Sequence, residues 1–284
     1  MNLDQLWDEL ASDLEREFRG YRSQLRNLDV TVKADSTLLT NADIAVENLI
    51  VDRIRKVDPN PVVVAEEDVR IAVRQEVLDD PARIWVIDPI DGTAEFVKPH
   101  GREFCSVVCL LEDLVPVAAF ILAPELGSGS SPLLITGSVP DAAITVNGQI
   151  AHRHGPGDGE RWASLTRSKD EPSRPFESGL AKIGYQLKTR TTSQTLDMVR
   201  TALDIAEFTD PPLPQFHLFA RADQKVWDGL AGLCLGRAAG LVSVDAAGNN
   251  RLPVDVDILS RPEPVFNSTI MGDEELVTWF LRQI

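Results

Sequence analysis

The stretch Trp85-Val86-Ile87-Asp88-Pro89-Ile90-Asp91-Gly92-Thr93 decides how this chain is read. Ile84 to Ile87 is a run of β-branched and aromatic residues, the composition of a buried strand, and it stops on two acids separated by Pro89 and Ile90. Proline restricts the backbone there, and the glycine after Asp91 lets the chain approach a ligand closely. Taken alone, acid-Pro-x-acid-Gly has a plain reading as a type I turn. Its other reading is chemical. Two nearby carboxylates, a backbone carbonyl between them and no sulfur or imidazole suit a hard divalent cation, magnesium rather than zinc. The peptide N–H groups of Gly92 and Thr93 would then face a phosphate, if a helix or tight turn opens at that point.

Working outward, Val62 to Ala65 reads as a second short strand and stops on Glu66-Glu67-Asp68, so two strands deliver acids to loops. Before it, Ala45, Val46, Leu49, Ile50, Ile54 and Val57 form a helical stripe opened by Thr40-Asn41-Ala42-Asp43, a capping-box pattern. Leu3, Leu6, Trp7, Leu10, Leu14 and Phe18 form an earlier amphipathic stripe. After the central stretch, Phe104–Leu111 and Leu114–Leu122 read as a buried hairpin, and Gly127 to Ser131 as a flexible turn. The polar loop from Arg153 to Gly159 is the expected boundary between an N-terminal part, residues 1–155, and a C-terminal part, residues 156–284. Beyond it the patterns predict a strand at Ala163–Thr166, helices at Thr195–Phe208 and Val226–Ala239, a strand at Leu241–Val244 and a last helix at Asp273–Leu281.

The chain has 284 residues, 43% hydrophobic and 25% charged, which excludes a disordered chain and a coiled coil. Its net charge of −16 argues against binding nucleic-acid polymers or anionic membranes. No run approaches a membrane span, and Met1 to Leu14 is acidic where a signal peptide is basic and then apolar, so a cytoplasmic protein is expected. Cys105, Cys109 and Cys234 sit in apolar stretches without ligand spacing and read as buried thiols.

Trp85 to Thr93 resembles the metal-site signature of the inositol monophosphatase superfamily, magnesium-dependent and lithium-sensitive phosphomonoesterases. Three further motifs follow that family's order: Lys33-Ala34-Asp35 with Thr40-Asn41-Ala42-Asp43, then Glu66-Glu67, then Trp227-Asp228-Gly229-Leu230-Ala231-Gly232. The resemblance implies a mixed α/β (α+β) fold, a layered αβαβα sandwich, with most metal ligands in the N-terminal part and Asp228 and substrate contacts in the C-terminal part. It makes Glu66, Asp88 and the Ile90 carbonyl ligands of one magnesium ion, and Asp88, Asp91 and Asp228 ligands of a second. A third ion sits near Glu66 in the three-metal version of the mechanism. It gives Glu66, with the Thr93 hydroxyl, the task of orienting and deprotonating the attacking water, and the Gly92 and Thr93 amides that of supporting the phosphate. Asp43 has two readings, an acid capping the helix at Thr40 or a group that polarises Thr93 or a bound water. Asp228 alone reads as a first-turn helix acid.

After the central stretch, Thr93-Ala94-Glu95-Phe96-Val97-Lys98 and Gly101-Arg102-Glu103-Phe104 resemble the 3′(2′),5′-bisphosphate nucleotidase branch of that family, as do Ser193-Gln194 and Lys225-Val226-Trp227-Asp228. A nucleotide-like phosphate ester follows as the expected substrate, with Ser193, Arg221 and Lys225 among its contacts. Two positions depart from the patterns. The lysine that nucleotidases place after Ser-Gln is Leu196 or Asp197 here, and the glutamate that inositol monophosphatases place seven residues before the aspartate of Trp-Asp is Arg221. An arginine suits a second anionic group better than a neutral polyol. An inositol or sugar phosphate, or a specialised biosynthetic phosphate ester, is the alternative substrate; a non-catalytic binder of metal or phosphate ligands is the alternative class. The only partner implied besides a small phosphorylated metabolite is a second copy of the chain, since family members are often homodimers.

Overall fold

Leu6, Trp7, Leu10, Leu14 and Phe18 lie buried along one face of α1 (Leu3–Arg22), whose start is capped by the Asn2 side chain. The structure is a computed structural model that describes residues 1–33, 37–67, 83–155, 160–167 and 172–284. Asp35, Asp68 and residues 156–159 of the expected boundary loop lie outside the described residues. A separate two-stranded hairpin, β1 (Val30–Val32) and β2 (Leu38–Thr40), leads into α2 (Asn41–Val57). The capping box expected there is formed in both directions between Thr40 and Asp43.

A seven-stranded sheet follows in sequential order: β3 (Val63–Ala65), β4 (Arg83–Asp91), β5 (Cys105–Glu112), β6 (Val115–Ala123), β7 (Leu133–Ser138), β8 (Ala143–Val146) and β9 (Gln149–Ile150). Only β3 and β4 run parallel. A one-turn helix, α3 (Thr93–Phe96), leaves the end of β4. The helices α1 and α2 cover one face, where Leu10, Phe18 and Ile50 pack with Trp85, Phe104 and Phe120 of the sheet and its loops.

The rest of the chain builds a five-stranded sheet. Its elements are β10 (Arg161–Arg167), α4 (Pro175–Lys182), β11 (Tyr185–Arg190), α5 (Gln194–Ala202), β12 (Leu218–Lys225), α6 (Val226–Ala238), β13 (Val242–Val244), α7 (Val256–Leu259), β14 (Val265–Gly272) and α8 (Glu274–Leu281), with strand order β11-β10-β12-β14-β13. Between the two sheets lie α5 and α6, whose Leu196, Met198, Val199 and Leu230 pack with Val107 and Ile121 of the first sheet and Phe219, Phe266 and Met271 of the second. On the outer face Leu180 of α4 and Phe280 of α8 meet Leu165, Leu218 and Ile270. The layers therefore alternate α1/α2, sheet, α5/α6, sheet, α4/α8, the αβαβα sandwich that was expected.

Buried from Val226 through Gly236, α6 has no solvent face, so its sequence carries no polar stripe. Its close approach to α5 depends on Gly232, where a Cβ would fall 2.5 Å from Met198 Cβ.

One element is shorter than its pattern suggests. The helix expected over Thr195–Phe208 ends at Ala202, because Leu203 turns extended and Asp204 accepts a hydrogen bond from the Ala206 amide, opening a separate 3₁₀ turn at Ala206–Phe208. The stretch Gly127–Ser131 contains a short 3₁₀ turn, Ser128–Ser130. All three cysteines are buried and unpaired, as expected. Among the described residues no helix is long and apolar enough to cross a membrane.

Candidate active site

Strand alternation alone would send Asp88 and Asp91 to opposite faces of β4. A bulge prevents it. Asp88 pairs with Val107 of β5 and Asp91 with Cys105, so Pro89 and Ile90 together oppose the single residue Ser106. Pro89 has no N–H to lose, and its carbonyl accepts the Ser106 hydroxyl at 2.5 Å. Both carboxylates then share a side with Asp228, carried by the first turn of α6. One oxygen from each of the three lies within 4.8 Å of the others.

The start of α5 holds this cluster. Asp91 Oδ2 accepts the Ser193 hydroxyl and the Thr195 amide, each at 2.7 Å, and Oδ1 accepts the Gln194 amide at 3.3 Å. The Gln194 side chain donates to Asp228 Oδ2 at 2.6 Å, and the Thr195 hydroxyl to the Asp228 carbonyl at 2.9 Å. Asp88 Oδ1 is buried and accepts no hydrogen bond among the described residues. Burial, reinforced by Glu66, Asp91 and Asp228, lifts the Asp88 carboxyl well above its ordinary range. Burial with Asp91 and Glu66 does the same to Asp228. Asp91 is raised only to about 6, since its hydrogen bonds from Ser193, Thr195 and Gln194 oppose the effect of burial. Hard oxygen donors, one of them unsatisfied, crowded where their own charges resist ionisation, fit a divalent cation.

A cavity of about 620 Å³ opens in front of the cluster. Glu66 and Glu67 enter it from the end of β3, and Lys33 donates to both, at 2.7 and 2.5 Å. Burial and the neighbouring Glu66 push Glu67 up to about 7. The Thr93 hydroxyl lies 3.0 Å from the Ile90 carbonyl and 3.4 Å from Asp43 Oδ1. Asp43 also accepts the Thr40 amide and hydroxyl on Oδ2, at 2.8 and 2.6 Å, so the cap and the Thr93 contact are made by one carboxylate. Burial, opposed by the Thr40 hydrogen bonds, raises it to about 6.

Gly92 joins β4 to α3 at φ +92°, and a Cβ there would fall 2.9 Å from the Glu103 carbonyl oxygen. Gly92→Ala is expected to cost about 2 kcal/mol in stability by forcing Asp91 and Thr93 to shift, as thermal unfolding would read.

The expected substrate contacts divide. Lys225 lines the cavity and reaches Glu263 at 2.7 Å. Arg221 lines a neighbouring pocket and reaches the Thr191 hydroxyl at 3.3 Å. Ser193 is fully buried behind Asp91, and it is Thr191 and Thr192 that face the cavity. Where a helix lysine is absent from the sequence, Asp197 is fully buried and draws in Lys188 from β11 at 2.5 Å; Lys188 also donates to Glu103 and Thr192. Sequence reasoning missed Thr195 and Glu47, and assigned Gln194 no contact. Glu47 accepts the Glu67 amide at 3.0 Å. Its signal was available: Asp43 and Glu47, one helical turn apart, are acids on the buried face of α2.

Fold and site together define an α/β sandwich protein with a buried cluster of three carboxylates, able to hold a cation, where the end of β4 meets the starts of α5 and α6. The model of the inositol monophosphatase family matches residues 5–275, and the chain belongs to that family. The 3′(2′),5′-bisphosphate nucleotidase CysQ of Escherichia coli (strain K12) is 38% identical over 99 residues, 35% of this chain and 39% of that protein. The protein of the same name from Aggregatibacter actinomycetemcomitans is 33% identical over 103 residues, 36% of this chain and 37% of its own. These alignments span less than two fifths of either partner. Among solved structures, the extragenic suppressor protein suhB from Bartonella henselae covers 99% of this chain and 97% of its own at 19% identity, with a TM-score of 0.74. An IMPase/NADP phosphatase complexed with NADP and Ca2+ covers 99% and 95% at 17% identity, with a TM-score of 0.73. At these identities the structural likeness is one of fold.

Proposed function

We propose that this protein is a magnesium-dependent phosphatase that hydrolyses a phosphate monoester of a small metabolite, a 3′(2′),5′-bisphosphate nucleotide or a related nucleotide-like ester. The observation that carries the reading is the convergence of Asp88, Asp91 and Asp228, with Asp88 Oδ1 buried and unsatisfied, on a cavity that Glu66 and Thr93 also line. Glu66, Asp88 and the Ile90 carbonyl would hold one magnesium ion, and Asp88, Asp91 and Asp228 a second. Bound there, magnesium supplies the positive charge that offsets a phosphate dianion and makes a water acidic enough to attack.

The chain's own groups do the rest. Glu66 accepts a proton from the attacking water, and the Thr93 hydroxyl, held by Ile90 and Asp43, orients that water. Gln194 and the first amides of α5 keep Asp91 and Asp228 from rotating away. Gly92 and Thr93 line the cavity where their amides would support the phosphate. Lys225 in the cavity wall and Arg221 behind Thr191 favour a substrate with a second anionic group over a neutral polyol.

A phosphate-release screen with magnesium tests both levels of this reading. Across adenosine 3′,5′-bisphosphate, its 2′,5′ isomer, inositol 1-phosphate, fructose 1,6-bisphosphate and nucleoside monophosphates, the highest kcat/KM is expected for a bisphosphate nucleotide. A preference for inositol 1-phosphate or a sugar phosphate would move the protein to the other branch. Release from none of them would leave the metal-binding, non-catalytic reading.

A further inference from the structure

The positive charge facing Glu66 and Glu67 belongs to the chain itself. Lys33 follows β1, and its amide donates to the Thr37 carbonyl at 2.8 Å, which anchors it at the tip of the β1–β2 hairpin. From there its Nζ lies 2.7 Å from Glu66 Oε1 and 2.5 Å from Glu67 Oε1, and all three side chains line the cavity that holds Asp88 and Asp91. The two β strands of the hairpin form their own small sheet and pair with neither large one. An ammonium group has three donors and no acceptor, so it engages the carboxylate lone pairs that a metal ion needs and offers the ion nothing in return.

We propose that Lys33 is the built-in counter-ion of the metal-free site: it bridges Glu66 and Glu67 and offsets part of their charge until a divalent cation enters, is displaced from Glu66 as the cation binds, and thereby weakens the site's affinity for that cation. The inference rests on the cation site proposed above. Two effects act in the same direction. The ammonium competes for Glu66 Oε1, and its charge opposes a divalent ion a few ångströms away in a half-buried site. Against these stands a structural benefit, since adjacent carboxylates without a counter-ion would repel each other at the strand end. The outcome is a site that is stable when empty and correspondingly less avid.

Titration calorimetry with Mg2+ alone, on the full chain without substrate, tests this. Lys33→Met removes the charge and is expected to bind Mg2+ about tenfold more tightly than the parent, while Lys33→Arg, which keeps the charge, stays near the parent affinity. Thermal unfolding gives a second reading: the metal-free Lys33→Met protein melts lower than the parent, and Mg2+ raises it by more. Lys33→Gln, which keeps a neutral donor to the carboxylates, serves if the methionine variant does not fold. Unchanged or weaker Mg2+ binding in the neutral variants, or equal tightening in Lys33→Arg, overturns the counter-ion role. If neither parent nor neutral variant binds Mg2+, the cation site itself falls, and the inference falls with it.

Discussion

Asp228→Asn is expected to lower phosphate release about a thousandfold at saturating magnesium. The amide has no good orientation at this position. With its oxygen toward Gln194 Nε2, now 2.6 Å from the carboxylate, its NH2 group points donors at Asp88 and at the proposed cation. Flipped, its NH2 faces another NH2 on Gln194 and loses that bond. The fold should tolerate the change well. Burial and two neighbouring carboxyls already penalise the charge of Asp228, so a neutral side chain of the same shape relieves that repulsion in the absence of metal. Metal-free thermal unfolding is therefore expected to hold steady or rise while turnover collapses. Turnover within tenfold of the parent would remove Asp228 from the site.

Magnesium is expected to stabilise the protein, and far more at pH 8 than at pH 5. The carboxyl of Asp91 is raised to about 6 in the fold, and those of Asp88 and Asp228 are raised well above their ordinary range. An acid whose folded pKa exceeds its unfolded value holds its proton more tightly when folded. Its contribution is thus complete below about pH 4 and is lost as the pH rises through the folded value. For Asp91 alone the loss is roughly 3 kcal/mol by pH 8, and Asp88 and Asp228 act in the same sense. The metal-free protein should therefore melt progressively lower between pH 5 and pH 8. Bound magnesium substitutes for the missing protons, so the increase in Tm on adding it should be several degrees larger at pH 8. A magnesium increment that is the same at both pH values would show that the three carboxyls do not share a cation.

Much of the N-terminal half can be read locally. The stripe of α1 and the reciprocal Thr40–Asp43 cap of α2 are short-range patterns that appear at or near their expected bounds, whereas the buried strand read over Ile84–Ile87 runs on through Asp91, because a bulge at Pro89 and Ile90 keeps it paired with β5. The C-terminal sheet is harder. β12 and β14 pair along their length, yet β12 carries Arg221, Asp223, Gln224 and Lys225, so neither its composition nor a clean alternation marks it as a central strand. What makes it one is the cover provided by α6 on one side and α4 with α8 on the other, a property of distant chain.

The same division runs through the site. Residue type and order along the chain determined the donor chemistry: acids at two strand ends and in the first turn of a late helix, with no soft ligand among them, and a glycine where the chain must turn with φ positive. Those features are legible because strand ends, helix starts and hard oxygen donors follow from a few adjacent residues. Only the tertiary structure decided that Asp88 and Asp91 face one way, through a bulge whose existence depends on pairing with Ser106 of β5. It alone assigned Ser193, Gln194 and Thr195 to hold the carboxylates, set Lys188 against the buried Asp197, and placed Lys33 between Glu66 and Glu67. Most of those outcomes join groups tens of residues apart, and their energy depends on register, on which charges lose their water together and on which donor lies within reach. Those quantities exist only once the layers are packed.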